Sequence, residues 1–400
     1  MADNPAILGG VPAFEKTFPI IRPSSDEAAT PEFLDRVRDV LRSNLLSNVG
    51  IFVRQFEEAL ERRLRVDHVI ATSSCTLGLI LAIHALGLRG KPAALPSFTF
   101  NASGLACYWN DVRLRYVDID ETLTLDPEKL NGVRGGIRFI LSVHMYGNPS
   151  DLEALDEWAG KRGIPVVYDA AHALGSSWKG RPLGGFGTAE VFSLSPTKLI
   201  TTGEGGFVAT NDAKLAESLR ILRNYGNLPD YTCPVPGINA RMSEINAALG
   251  IEMLKNLDRY VESRNRYVRR YTRQLAHVPG IQFQHVREGG VSSHKDFSVL
   301  VEPRAFGMDR DELAVALLAE RIATKKYFFP PMHRLKAFRP EKPVRLPTTD
   351  RVSRRVLSLP IHNVMSEAEI DLVSDRIELI QSRAIEVKRT LVLSGGRKSS

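Results

Sequence analysis

The sequence predicts an α/β protein: a large domain around a mostly parallel central sheet, followed by a smaller C-terminal α+β domain. Three observations lead there. Between residues 67 and 210, short apolar runs of strand length alternate with helix-length segments, the rhythm of strands joined by crossover helices. One long helical run then covers residues 245–275, with Leu249, Met253, Leu257 and Tyr260 on a single seam. Beyond that bridge, strand-like runs at 281–285 and 297–301 stand among helical patterns at 310–320 and 367–385. A chain of 400 residues is long enough for both units. The expected division is an N-terminal arm and large domain over 1–250, a linking helix and small domain over 251–390, and a disordered tail over 391–400.

Residues 1–29 read as irregular. Thr30-Pro31-Glu32-Phe33 reads as a helix cap, a proline at the first helical position and the start of a helix to about residue 42. A turn at 47–50 precedes a second amphipathic helix over 53–64, with Phe56, Leu60 and Leu64 on one face. Residues 69–72 form a short apolar strand, 73–76 a turn and 77–86 a helix, so free N–H groups of a helix start lie directly after a strand, ready for an anion. Strands at 93–96, 114–118 and 138–143 follow, then a helix over 151–161.

The stretch from 166 to 212 carries most of the chemistry. Its first strand, Val166-Val167-Tyr168-Asp169, ends on an acid, and His172 follows three residues later. A second strand delivers Ser193 and, just beyond it, Ser195 and Lys198. The loop Gly203-Glu204-Gly205-Gly206 then lets backbone N–H groups approach a ligand. Taken singly, Asp169 reads as a turn cap and Lys198 as a solvated lysine. As an ordered set they suit pyridoxal 5'-phosphate (PLP): a lysine amine that condenses with its aldehyde, an aspartate facing its pyridine nitrogen, and hydroxyls and amides for its phosphate.

Composition narrows the field. Hydrophobic residues make up 43% and charged residues 25%, ordinary for a globular protein. The apolar run at 79–88 is too short to span a bilayer, and the N-terminus lacks a secretory pattern, so a cytoplasmic protein without membrane contact is expected. Cys75, Cys107 and Cys233 are widely spaced, with no CxxC, which argues against a metal site and against disulfides. The net charge of +7 suits an anionic small substrate. The basic run RNRYVRRYTR at 264–273 reads as a solvated helix face with two packing tyrosines, not a nucleic-acid surface. The glycines at 203–206 lack the G-x-G-x-x-G spacing and context of a dinucleotide fold.

DAAHALG, FSLSPTK, GEGG and G-x-N-A-R-M-S-E-x-x-A-A together resemble the DegT/StrS family of PLP-dependent nucleotide-sugar aminotransferases, from about Arg22 to about Ile380. The resemblance implies the PLP-dependent transferase type I fold. It makes Lys198 the lysine that bonds PLP and moves the proton, Asp169 the partner of the pyridine nitrogen, and His172 a contact of the ring hydroxyl. Cys75, Thr76 and Ser193 fall at phosphate-binding positions, Cys75 where the family more often has glycine. Phe100 falls where an aromatic ring covers the cofactor. Asn239 matches an asparagine that crosses a homodimer interface to the partner's PLP, with Arg241 beside it on the substrate side. Tyr327 and His333 match a substrate-side segment. Relatives that remove a hydroxyl carry histidine at the position of Lys198, so the lysine implies amine transfer. The implied reaction passes an amine from an amino acid, glutamate by resemblance, to a nucleotide-diphospho-keto-sugar. A dTDP-4-keto-6-deoxyhexose aminated at C4 is the first expectation; C3 amination and a non-catalytic PLP-binding regulator are the alternatives.

Overall fold

The computed structural model describes residues 4–395. Helices α1 (Pro31–Ser43) and α2 (Ile51–Leu64) lead into alternating elements: β1 (His68–Thr72), α3 (Cys75–Ala85), β2 (Pro92–Pro96), α4 (Asn101–Tyr108), β3 (Arg113–Val117), β4 (Phe139–Val143), α5 (Leu152–Gly160) and β5 (Val166–Asp169). The two-residue strands β6 (Ser177–Trp178) and β7 (Arg181–Pro182) follow, then β8 (Ala189–Ser193), β9 (Gly206–Thr210), α6 (Ala213–Leu222), α7 (Glu244–Leu254) and α8 (Leu257–Leu275). The C-terminal part holds β10 (Ile281–Phe283), β11 (Gly290–Val291), β12 (Phe297–Val301), α9 (Pro303–Phe306), α10 (Arg310–Ala319), α11 (Pro347–Arg355), β13 (Val356–Leu359), α12 (Glu367–Ser382) and α13 (Ala384–Gly395). Local chemistry sets the helix starts. Thr30 Oγ1 accepts from Phe33 N–H at 3.1 Å with proline at the first position of α1, and full capping boxes open α10 at Asp309 and α12 at Ser366.

Seven strands form the central sheet in the order β1-β9-β8-β5-β4-β2-β3. All its pairings are parallel except those of β9, which runs against both neighbours. Strands buried on both faces need apolar residues at every position, and successive side chains pack on opposite sides. Phe192 and Phe207, stacked at 4.7 Å, join Phe56, Leu60 and Met253 on the α2/α7 face. Val191 and Val208 join Leu79, Ala106 and Leu219 on the α3/α4/α6 face. The sheet is therefore the middle of three layers.

Its topology assembles the site. The C-terminal ends of β4, β5 and β8 lie side by side, with Val143 opposite Asp169 and Asp169 opposite Val191. Because β9 is reversed, its first residue, Gly206, sits between Thr72 and Ser193 and draws the start of α3 against the end of β8. A Cβ on Gly206 would lie 2.4 Å from the Cys75 nitrogen, so only glycine permits that approach.

The C-terminal part has its own antiparallel sheet, β10-β12-β13, and its own core, including Tyr271, Leu275, Val299, Leu313, Leu357 and Ile377. Four expectations are corrected here. The arm up to Phe18 belongs with this unit, while Ala28 at its end packs on the large-sheet core: Phe18 is buried in the C-terminal core and exchanges backbone hydrogen bonds with Arg321 and Ala323 at 2.7 and 3.0 Å. Conversely, Met332, Phe338 and Leu346 pack on the large-sheet core. The run at 245–275 is two helices, broken where Lys255 and Asn256 bond back three residues to Glu252 and Met253. The tail expected to lack order from 391 is helical to Gly395, and 396–400 lie outside the described residues. No described helix is long and apolar enough to cross a membrane.

Candidate active site

Two cavities adjoin through the His172 and Phe328 rings: an inner one beyond the C-terminal ends of β5 and β8, and an outer one between the loop after β2 and residues 324–330. The inner one is lined by Ala171, His172, Leu174, Ser193, Lys198, Leu199, Ile200 and Lys295. Lys198 is fixed through its backbone, whose N–H donates to Ser195 O at 3.0 Å. Its half-buried side chain makes no hydrogen bond or ion pair with any described residue. Burial, with the Lys295 ammonium adding to it, brings the Lys198 amine down to about 8. A neutral, nucleophilic form is thus within reach near neutral pH.

Asp169 is 4% exposed and accepts from Ser103 Oγ at 2.6 Å and Ala171 N–H at 3.1 Å. Burial raises its pKa, and those two hydrogen bonds with the nearby Lys198 pull it back. A carboxylate desolvated in this way gains most from a cationic partner. His172 is held neutral: burial, then the charges of Lys198 and Lys295, keeps its pKa well below the usual value. The Tyr146 N–H donates to its Nδ1 at 3.2 Å, which assigns the proton to Nε2 and makes that nitrogen a donor. Tyr146 and Phe328 stack near its ring at 6.3 and 6.2 Å.

At the start of α3, Ser74 satisfies Leu77 and Gly78, which leaves the N–H groups of Cys75 and Thr76 for an outside acceptor. The Cys75 side chain is not in the way. It is buried, with Sγ 3.7 Å from Val191 O, and burial keeps it a thiol. An anion cradle, a donor histidine, an acid in want of a cation and an unpartnered lysine fit PLP.

The outer cavity, about 440 Å³, is lined by residues including Phe100, Lys325, Tyr327, Phe328 and Phe329. Phe100 is 57% exposed, and its ring lies 5.9 Å from that of Phe328, which bridges to His172.

The structure therefore gathers Lys198, Asp169, His172, Ser193, Cys75 and Thr76, with Phe100 and Tyr327 at the mouth. Three expected residues stand apart. Asn239 is exposed and accepts from Arg241 Nε at 3.0 Å. Arg241 is also held by Asn48 and Asn224 and lies over the Tyr225 ring, so within one chain its guanidinium is occupied elsewhere. His333 lines neither cavity. It is buried between Ser97, whose Oγ is 2.7 Å from Nδ1, and Asp350, 3.4 Å from Nε2, and it anchors its loop rather than facing the cavities. Ser103, Tyr146, Lys295 and Asp296 were not singled out from the sequence, whereas Phe328 lies in the aromatic run expected to wall the substrate. Ser103 sits in the same T-F-N-A-S run as Phe100, and Lys295-Asp296 stands out as an opposite-charge pair directly before an apolar strand.

Comparison with known proteins agrees with this geometry. The profile of the DegT/DnrJ/EryC1/StrS aminotransferase family matches residues 27–378. The dTDP-4-amino-4,6-dideoxy-D-glucose transaminase of Escherichia coli is 31% identical, over 88% of this chain and 96% of its own. The dTDP-3-amino-3,4,6-trideoxy-alpha-D-glucose transaminase of Streptomyces venezuelae is 35% identical, over 84% of this chain and 86% of its own. The crystal structure of DesI, determined in the presence of its TDP-sugar product, superposes with a TM-score of 0.89 at 34% identity, covering 97% of this chain and 99% of that one. The chain belongs to the DegT/DnrJ/EryC1/StrS aminotransferase family and is a PLP-dependent sugar aminotransferase.

Proposed function

We propose that the enzyme moves the amine of glutamate to the keto carbon of a nucleotide-diphospho-sugar, namely C4 of a dTDP-4-keto-6-deoxyhexose. The observation that carries the reaction type is Lys198: a half-buried amine without a partner, between Asp169, His172 and Ser193. Bound PLP supplies an electron sink through its pyridine ring. The protein does the rest. Asp169 holds a proton on the ring nitrogen, in a hydrogen bond to a charged group worth about 1.5–3 kcal/mol. His172 Nε2–H donates to the ring oxygen, while Ser193, Thr76 and the Cys75 N–H hold the phosphate. Phe100 covers the ring and, with Phe328, excludes water. The Lys198 amine carries the proton between the donor carbon and C4' of the cofactor, and reverses the transfer towards the sugar.

The sugar fits the outer cavity, with its aromatic wall and Lys325 at the mouth. Similarity to the E. coli enzyme supports C4, and similarity to the S. venezuelae enzyme keeps C3 as a second reading. The exposed Asn239 supports a homodimer in which each site is completed by Asn239 of the partner subunit. The test is an absorbance spectrum before and after glutamate, followed by a panel of 3-keto and 4-keto nucleotide sugars. A visible band that glutamate bleaches and a 4-keto sugar restores is expected; restoration by 3-keto sugars alone overturns the C4 assignment. Lys198→Ala should lose at least about 10⁴-fold in turnover, and measurable steady-state amine transfer by that variant overturns the role of Lys198.

A further inference from the structure

We infer that Lys295 is the carboxylate-binding residue of the site: its ammonium, held in the Lys198 cavity by Asp296, receives the α-carboxylate of the amino-acid donor. The inference rests on the proposed reaction and assigns one of its two substrates to a side chain. Lys198 and Lys295 are the charged residues lining the inner cavity. Lys295 is 4% exposed, and its Nζ meets Asp296 Oδ1 at 2.9 Å and Oδ2 at 3.1 Å. An ammonium has three donors, and one carboxylate in this grip leaves at least one unspent.

The segment is rigidly placed. Lys295 N–H donates to Tyr146 O at 2.9 Å, the Arg264 guanidinium holds the carbonyls of His294 and Lys295, and Ser293 Oγ donates to His172 O at 2.8 Å. The ammonium also lies 5.2 Å from the centre of the Tyr327 ring. A cation so fixed is pre-organised to bind an anion.

The donor's chemistry supplies the anion. Its α-carboxylate is bonded to the carbon that gives up the amine and the proton, so it must enter the cavity where the Lys198 amine works. A buried carboxylate requires a cation there. Lys198 is committed to the proton and His172 is neutral, which leaves Lys295. The keto sugar carries no carboxylate at its reacting carbon, so Lys295 binds substrate in one half of the reaction only. Until a donor arrives, Asp296 balances the charge. The neighbouring ammonium also favours the neutral form of Lys198.

The experiment uses PLP-loaded enzyme and glutarate, which has carboxylates and no amine to transfer, titrated against the cofactor absorbance band. Lys295→Met should weaken glutarate at least about 10-fold and Lys295→Arg less than about 3-fold, as expected for the loss and retention of a charged hydrogen bond. In the donor half-reaction, Lys295→Met should raise the half-saturating glutamate concentration by a similar factor. Return of the amine to the keto sugar, followed at a pH where the Lys198 amine is neutral in both proteins, should stay within about 3-fold of wild type. Should Lys295→Met fail to fold because Asp296 is stranded, Lys295→Met combined with Asp296→Asn removes the stranded charge and should show the same loss. Unchanged glutarate affinity, or equal damage to both halves, overturns the inference. Lys295-dependent glutarate binding in an enzyme that glutamate does not aminate would instead overturn the proposed reaction and leave the carboxylate site standing.

Discussion

Arg264 and Lys198 are both cations withdrawn from water, and the protein treats them in opposite ways. Arg264, 1% exposed, donates to Asn363 Oδ1 at 3.0 Å and to the carbonyls of His294, Lys295 and Ile361 at 3.2, 3.1 and 3.1 Å. Its Nε and Nη1 are spent on these four fixed acceptors, which makes it scaffolding. Lys198 meets no acceptor among the described residues; burial lowers the pKa of both cations, Arg264 to about 10 and Lys198 to about 8, so the difference between them lies in their partners. A buried charge bound to fixed acceptors holds structure, and one without them is kept for a ligand. The two are joined, because Arg264 grips the backbone that presents Lys295 to Lys198.

The sharpest way to break this contrast is to remove each charge in turn. Arg264→Met strands three carbonyls and an amide oxygen in the interior and should destabilise the protein by at least about 3 kcal/mol, given about 1–3 kcal/mol for each stranded group. Lys198→Met removes a poorly solvated charge with no partner and should change stability by less than about 1 kcal/mol, in either direction. Urea unfolding midpoints of the two apoenzymes decide it. Equal losses would mean that Lys198 is a structural cation and that the distinction fails.

The same contrast explains what the sequence could show. The strand–helix alternation was legible because the inner strands of the sheet are buried on both faces and are therefore mostly apolar. Asp169, His172, Ser193 and Lys198 were legible because topology places them on one short segment at adjacent strand ends. Lys295 and Ser103 were not. Each reaches the site from a separate stretch of chain, and nothing local in K-D-F or N-A-S says which way a side chain is buried. The strand β13 and helix α11 were missed for a related reason: V-L-S-L is short, and its pairing with β12 is a tertiary fact. The arm was misplaced because Phe18 finds its core some 300 residues away in sequence, beside Ile322. His333 was misjudged because a histidine beside two prolines looks the same whether it faces a cavity or Ser97.

Asp169 offers an intermediate test, since it is a buried charge half-way to saturation. Ser103→Ala deletes its 2.6 Å hydrogen bond and pushes its already raised pKa higher, so the carboxyl more readily takes a proton and holds the ring nitrogen less well. The Kd for PLP should rise about 10-fold, the equivalent of one charged hydrogen bond. Thr99→Ala touches only the outer partner of Ser103, at 2.9 Å, and should cost less. Fluorescence titration of the apoenzymes with PLP measures both, and an unchanged Kd in Ser103→Ala would mean that Asp169 needs no help from the protein.

The smallest expected effect concerns the unsaturated charge itself. Capture of the PLP aldehyde requires the neutral form of Lys198, whose folded pKa is lowered to about 8. The capture rate should therefore rise with pH up to about 8 and level off above it. The groups facing Lys198 pull in both directions: Lys295 lowers its pKa, while Asp296, Cys75 and Asp169 raise it. Lys295→Met removes the lowering charge and frees Asp296 to act alone, so the break moves upward and capture at pH 7 slows, by roughly 2- to 10-fold for a shift of up to about one pH unit. Stopped-flow absorbance at several pH values reads the break directly. A break that stays in place in Lys295→Met would show that burial alone sets the Lys198 amine, and that the second lysine serves the donor and not the nucleophile.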